Sequence, residues 1–344
     1  MAARFRLLPA VLVTVALLAG ACTPASPATP TASPAAPASS PTAAPPTPTA
    51  APAFPVTLTD DEGTEVTIAA EPQKIVSLTP ATTEILFAIG AGSRVIGKVE
   101  DVASFPPESV SIPDVATFGG VDVEEIVTLG ADLVIAAGVG LSQGPAVEQL
   151  RRADVPVLVI YPTTVDGALA GVRLIGQATG ATAEATELAD GMDAQLEALA
   201  AAAATAGTKP RVFYEIDVTN GIFTPPADSI YGEMFRLAGA EPISGDANYS
   251  ITLESLVAAD PEVILLGDAA YGQTPETVKA RPGWDVMTAV QNDRIHPIDD
   301  IVVTRPGPRL VDGLRALIEA IHPDLALPSP ATAAQPAFAL PVAA

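Results

Sequence analysis

Two periodicities of apolar and polar positions run through the chain, and one phrase that contains both is written twice. Residues 122–138 read DVEEIVTLGADLVIAAG and residues 252–268 read TLESLVAADPEVILLGD. At a constant offset Asp122 aligns with Thr252, Glu124 with Glu254, Ile126 with Leu256, Val127 with Val257, and Leu133-Val134-Ile135 with Val263-Ile264-Leu265. Each copy predicts a short helix feeding a strand. Asp122 or Thr252 supplies an oxygen-bearing N-cap, the Glu sits in the first turn at the positive end of the helix dipole, and Gly130 or Asp260-Pro261 stops the helix. The Val/Ile/Leu run that follows does not alternate with polar residues, as expected for a parallel strand buried on both faces. Two such units in matching register predict two lobes on one plan, each with a capped helix that carries a carboxylate at its tip.

The remaining pattern fills in around them. Residues 56–68 alternate about an Asp-Asp-Glu-Gly turn and predict a hairpin. Residues 75–78 predict a strand, Thr79 an N-cap and Pro80 a first helical position, with Ile85, Leu86 and Ile89 as the buried stripe before Gly90 and Gly92. The Gly-Ala-Gly here follows a helix and precedes a strand, the reverse of a dinucleotide fingerprint, so it reads as a helix stop. A strand at 155–161 and a helix at 165–179 complete lobe one. Residues 181–204 have high helix propensity and one apolar stripe, Leu188, Met192, Leu196 and Leu199, and predict a long helix linking the lobes. Lobe two then begins with a strand at 211–216 and alternates helix and strand, including a strand at 301–303, as far as His322. The fold class is α/β, two Rossmann-like lobes of parallel sheet and helices. The N-terminal lobe is placed at 54–180, the linking helix at 181–206 and the C-terminal lobe at 207–324.

Both ends differ in composition from this body. Arg4 and Arg6, an apolar run at 7–18 and Ala19-Gly20-Ala21-Cys22 have the form of an export signal over 1–22, too short to span a bilayer as a mature helix. Cys22 is the only cysteine, which excludes an intramolecular disulfide. Its position resembles the lipobox of bacterial lipoproteins, with Ala19 where Leu is usual. That resemblance implies lipidation of Cys22 and an extracytoplasmic protein anchored to the membrane by lipid; an ordinary secretory signal with a chance Cys is the alternative. Residues 23–53, nearly all Pro, Ala, Ser and Thr, are expected to be a disordered tether, and 325–344 a similar tail. Neither end carries an acidic residue, so with Arg4 and Arg6 set aside 15 basic residues face 40 acidic ones in the body. A surface that acidic argues against nucleic-acid binding, which needs phosphate neutralisation.

The ordered segments KIVSLTPATTEILFAIGAGSRVIG, TFGGVDVEEIVTLGADLVIAA, PRVFYEID, SIYGEMFRLAGAEPI, TLESLVAADPEVILL, VQNDRIHPID and TRPGPRLVDGLRALIEAIHP cover nearly all of residues 54–324. Together they resemble the substrate-binding proteins that serve ABC importers of iron-siderophore complexes, cobalamin and haem. The resemblance implies two lobes joined by one long rigid helix, the class III periplasmic-binding-protein fold, with the ligand in a shallow interlobe cleft and little hinge motion. It implies a monomer that delivers its ligand to a permease dimer with its ATPase. Glu124 and Glu254 fall on positions that dock on permease arginines; the bland alternative is that each Glu merely suits its helix dipole. Phe118, six residues before Glu124, matches an aromatic that lines the family's pocket, and Tyr249 stands similarly before Glu254. Phe223 and Arg305 are the further ligand-binding candidates, Arg305 because a guanidinium can hold carboxylates or phenolates of a chelate. Against these stand a core role for Phe118 and Phe223 and a solvated one for Arg305.

Other chemistry is thinly represented. The sequence has no Walker loop, no GxSxG elbow, no HExxH and no cysteine nucleophile after processing. Its two histidines, His296 and His322, each precede a proline and read as surface or element-end residues, so neither a bare metal site nor a cofactor is expected; haem ligation by His296 or a Tyr stays open. Positions where cobalamin binders often carry aromatic clamps hold Val102 and Ala137, and aromatics make up only 4% of the chain. That favours a ferric siderophore over a broad corrinoid. Cobalamin or haem as cargo, an extracytoplasmic sensor and a two-lobed chelatase or hydrolase are the alternatives. Trp284 is expected to be structural, packed below the last strand.

Overall fold

In the computed structural model, which describes residues 54–117 and 119–329, the Val/Ile/Leu runs become the centres of two sheets. The lobe-one sheet runs edge to edge Gly120–Val121, Asp114–Thr117, Val95–Val99, Ile75–Ser77, Leu133–Ala136, Val157–Val159. Every neighbouring pair is parallel except the antiparallel edge strand Gly120–Val121. The lobe-two sheet runs Glu241–Ile243, Arg211–Glu215, Val263–Leu266, Ile295–Pro297, parallel throughout.

Because successive strand residues point to opposite faces, each run feeds two cores. In lobe one Ile75, Leu133, Ile135 and Leu158 enter one core, and Val76, Val134, Ala136, Val157 and Val159 enter another. In lobe two Phe213, Ile264 and Leu266 lie in a third, whereas Val212, Tyr214, Val263 and Leu265 join the same core as Ile75. The two lobes therefore share one continuous apolar core. The linking helix crosses it: expected at 181–204 and observed at Thr182–Ala203, it buries Ala185, Ala189, Met192, Leu196, Leu199 and Ala203 there. The preceding helix Val165–Thr179 approaches it so closely that a Cβ on Gly176 would lie 2.2 Å from that of Ala185, so only glycine fits.

The repeated phrase folds as its pattern predicts. Helices Val123–Leu129 and Leu253–Ala259 are capped by Asp122, which accepts from the Glu125 N–H at 2.9 Å, and by Thr252, which accepts from the Ser255 N–H at 3.2 Å. They end at Gly130 and Asp260, both left-handed. Asp260 tolerates that conformation with its carboxylate held by the Thr288 N–H at 2.7 Å and the Thr288 hydroxyl at 2.8 Å. The hairpin forms from Val56–Thr59 and Glu65–Ile68.

Two expectations need correction. Residues 301–303 are not a strand but lie in a helix, Asp300–Thr304, whose N-cap Asp299 accepts from the Ile301 N–H at 3.0 Å. The parallel sheet already ends at Ile295–Pro297. Val302 and Val303 instead fill a helical face in the central core beside the last helix, Leu310–Ile321, and that burial outweighs a β-branched helix penalty of a few tenths of a kcal/mol each. Nor is the tail loose from its first residue: Leu325 and Leu327 pack on the central core, and Arg315 donates to the Pro328 carbonyl at 2.8 Å. The export signal, Cys22, the tether and residues 330–344 lie outside the described residues. Among the described residues no helix is long and apolar enough to cross a membrane. Trp284 is 3% exposed and meets Phe213 edge-on at 6.0 Å in the lobe-two core, the structural role expected of it.

Candidate functional site

Loops that follow the C-terminal ends of the parallel strands in both lobes enclose a cavity of about 840 Å³. Open α/β sheets bind ligands at such ends, and the volume falls within the usual range for small-molecule sites, about 300–1,000 Å³. Lobe one contributes the start of helix Pro80–Ala88, Ala137, Leu141 and Tyr161; lobe two contributes Asp228, Tyr231, Asp246, Tyr249 and Arg305.

Three tyrosines define its walls. Tyr161 follows strand Val157–Val159, and its N–H donates to Asp61 in the hairpin turn at 2.6 Å. Its ring lies across the turn Gly138–Leu141, where a Cβ on Gly140 would come within 2.5 Å of it. Tyr231 stands in helix Ile230–Leu237, with its hydroxyl 3.4 Å from the Thr304 carbonyl. Tyr249 occupies a left-handed position, φ 63°. It is held there by its N–H to the Asp246 carbonyl at 2.9 Å and by its own carbonyl accepting from Thr224 at 2.8 Å. Burial, reinforced by the neighbouring phenols and carboxylates, pushes the Tyr231 and Tyr249 phenols above their ordinary range. Both stay neutral near pH 7, able to donate or accept a hydrogen bond.

Arg305, which lines the cavity, belongs to an ion-paired seam across the lobe boundary. Glu84, 2% exposed on helix Pro80–Ala88, accepts from Arg309 at 2.9 and 2.6 Å and from Arg305 at 3.1 Å. Arg305 also grips both oxygens of Asp101, one at 3.0 Å, and Arg309 stacks on the Phe105 ring with 4.1 Å to its centroid. Burial alone would raise the Asp101 pKa, but the Arg305 contact and the N–H groups of Ala103 and Phe105 outweigh it and hold the carboxyl below its usual range. A further link joins the lobes where the Val165 N–H donates to Glu233 at 2.8 Å.

Of the candidates expected from the sequence, Tyr249 and Arg305 line the cavity. Arg305 is not solvated: its side chain is 13% exposed and its charge is already matched by Asp101 and Glu84. Phe223 is drawn into a small ribbon in which Ile222–Phe223 pairs with Ser250–Ile251, and it is not among the lining residues. Phe118 lies outside the described residues. Glu124 and Glu254 are exposed in the first turns of their helices, one on each lobe. Ala137 lines the cavity as a small residue and Val102 is 82% exposed, so the aromatic surface comes from other positions. Tyr161 and Tyr231 escaped the sequence reading; Tyr161 was findable as the residue just past a strand end, whereas Tyr231 inside a helix had no such signal. His322 caps the last helix, and His296 lies in strand Ile295–Pro297 with its Nε2 buried. Among the described residues no group of three or more His, Cys, Asp or Glu is arranged to hold a metal ion.

Comparison with known proteins gives a consistent set of relatives. A family model described as periplasmic binding protein matches residues 75–302. The chain is 33% identical over 277 residues to an uncharacterized ABC transporter substrate-binding lipoprotein of Bacillus subtilis, YvrC, which covers 79% of this chain and 87% of that protein. It is 27% identical over 249 residues to the vitamin B12-binding protein of Pectobacterium atrosepticum, over 70% of this chain and 86% of the relative. Among solved structures, the periplasmic heme-binding protein RhuT from Roseiflexus sp. RS-1 in its apo form matches with a TM-score of 0.64 at 26% identity, over 72% of this chain and 98% of that one.

Proposed function

The chain belongs to the periplasmic binding protein family, and from that premise we infer that it is the substrate-binding component of an ABC importer, with a bulky metal chelate of the ferric-siderophore or corrinoid kind as its cargo. The observation that carries the cargo reading is the convergence of Tyr161 from one lobe with Tyr231 and Tyr249 from the other on one cavity at the strand ends. Phenol rings offer flat apolar faces, and their hydroxyls reach the oxygens and amides at the edge of a chelate. The low aromatic content of the chain spoke against a corrinoid. Three aromatic rings gathered at one cavity weaken that objection, so both classes stay within the proposal; a relative named as a vitamin B12-binding protein and a structure named as a periplasmic heme-binding protein support a chelate as the cargo.

The rest of the role follows from the same frame. Exposed Glu124 and Glu254, each in the first turn of an equivalent helix, are proposed to meet arginines of a permease, since paired charges at two separated points set orientation as well as affinity. Cys22 would hold the protein on the outer face of the cell membrane through lipid. The common core and the ion-paired seam favour a cleft that changes little on loading.

Isothermal calorimetry on the full-length chain in detergent, with a ferric hydroxamate, a ferric catecholate, cyanocobalamin and haem, tests the reading. Saturable binding of one class at submicromolar concentration supports it, and the absence of binding by all four refutes it. Trp284 lies in the lobe-two core rather than at the cavity, so its fluorescence is a poor reporter and calorimetry is the better assay.

A further inference from the structure

Building on the reading of the cleft as a chelate site, we propose that it selects by charge: it accepts neutral or cationic metal chelates and rejects anionic ones. The charged side chains that line the cavity are Asp228, Asp246 and Arg305. Arg305 is the one cation among them, and it is already paired with Asp101 and Glu84. With Arg309 these residues make two guanidiniums against two carboxylates, a set with no net charge. Both Asp228 and Asp246 are exposed. Asp246 has one oxygen fixed by the N–H groups of Asn248 and Ser250 at 2.8 and 2.9 Å, which leaves its charge in place and its second oxygen free of them. The cavity therefore presents net negative charge, in a chain whose formal charge is −23.

The neutral part of the lining offsets this only in part: the first turns of helices Pro80–Ala88 and Ile230–Leu237 bring partial positive charge of about half a unit each to the cavity, against two full carboxylate charges. Phenol hydroxyls can donate to a carboxylate or a phenolate, but a hydroxyl does not supply the compensating charge that an anion loses with its water. Lobe walls of low polarisability focus the field of the two carboxylates onto a ligand between them, which favours a cation and opposes an anion. Chelate chemistry turns this into a distinction among iron complexes. Three hydroxamates, one negative charge each, neutralise a ferric ion, and a pendant ammonium makes the complex cationic. Three catecholates leave the complex with three negative charges, and haem carries two propionates. On charge grounds, hydroxamate siderophores and amide-rimmed corrinoids fit, whereas catecholates and haem do not.

The test uses chelates matched in shape and different in charge. Ferrioxamine with its free ammonium, its N-acetyl form and its N-succinyl form are cationic, neutral and anionic versions of one complex. Cyanocobalamin and a corrinoid with one peripheral amide hydrolysed to carboxylate form a second, neutral and anionic series. Calorimetry of each with the full-length chain is expected to show the anionic member weaker by about two- to fivefold in whichever series binds, the range that exposed charges support. That gap should narrow as salt is raised and in Asp228→Asn, because screening and loss of one carboxylate both weaken the field. Equal or tighter binding of the anionic member overturns the proposal. So does binding of ferric catecholate or haem while the uncharged chelates fail, an outcome that leaves the importer reading standing. If no chelate binds at all, the cargo reading itself fails and the charge rule falls with it.

Discussion

Replacing Glu84 with Ala should be among the most destabilising single changes available in this protein. The carboxylate is 2% exposed and satisfies three N–H donors, two from Arg309 and one from Arg305. Removing it leaves the Arg309 guanidinium, whose side chain is 11% exposed, with Phe105 stacked on it but without its carboxylate partner. Losing one member of a buried pair typically costs about 3–5 kcal/mol, because the other charge remains desolvated. Arg305 keeps Asp101, which places the expectation in the lower half of that range. For a protein stable by about 5–15 kcal/mol such a loss is a large fraction of the whole. Urea unfolding at pH 7, followed by far-UV circular dichroism and by Trp284 fluorescence, measures it. Trp284 is buried in lobe two while Glu84 belongs to lobe one, so a lower midpoint by both probes shows that the seam couples the lobes. Replacing Glu84 and Arg309 together by Leu and Met should recover part of the loss, since the orphaned Arg309 charge is gone, although Asp312 then loses the guanidinium that most offsets its burial. A change below about 1 kcal/mol for Glu84→Ala, the range of an exposed pair, would refute the reasoning.

Glu124→Ala combined with Glu254→Ala should abolish uptake of the cargo in cells and leave its affinity for the purified protein unchanged; reduced affinity would assign these residues to the cleft instead. Burial, then the nearby Glu215 charge, pushes the Asp268 carboxyl up to about 7, and its Oδ1 has no partner. Against an unfolded value of about 3.9, the folded protein keeps a proton that the unfolded chain has already lost. This contribution to stability is thus fully present below about pH 4 and is lost as pH rises through about 7. Asp268→Asn should remove that fall, with its advantage over the parent growing across the same window to on the order of 1–3 kcal/mol, read from urea midpoints at each pH. A Cβ on Gly245 would lie 2.5 Å from the Thr224 carbonyl oxygen and 2.8 Å from the Tyr249 carbonyl carbon, both backbone atoms that cannot swing aside. Gly245→Ala should cost about 1–3 kcal/mol and weaken cargo binding by displacing Tyr249, as measured by unfolding and calorimetry on the same sample.

Much of this architecture was legible because it rests on short-range rules. The caps at Asp122 and Thr252, the stops at Gly130 and Asp260 and the strands Leu133–Ala136 and Val263–Leu266 each depend on residues within a few positions of one another. The linking helix was visible for the same reason, its apolar stripe recurring at helical spacing. Two Glu residues in equivalent first turns could be named from the repeat alone. The helix at Asp300–Thr304 could not be, because two β-branched valines have a strand's local preference and only burial beside the last helix decides otherwise.

By itself, then, the sequence determined the class, the two-lobed plan, the linking helix and the two capped helices with a Glu in each first turn. Tertiary structure alone decided what lies between the lobes. Glu84 meets Arg305 and Arg309 across 221 and 225 residues of chain, and Arg305 meets Asp101 across 204. Tyr161, Tyr231 and Tyr249 share a cavity although no periodicity relates them. Periodicity records which face of an element turns inward, but the partner it meets depends on how whole sheets pack about the common core. The charge of the cleft is set at that level, where Arg305 stops being an available cation because two carboxylates from the other lobe already hold it.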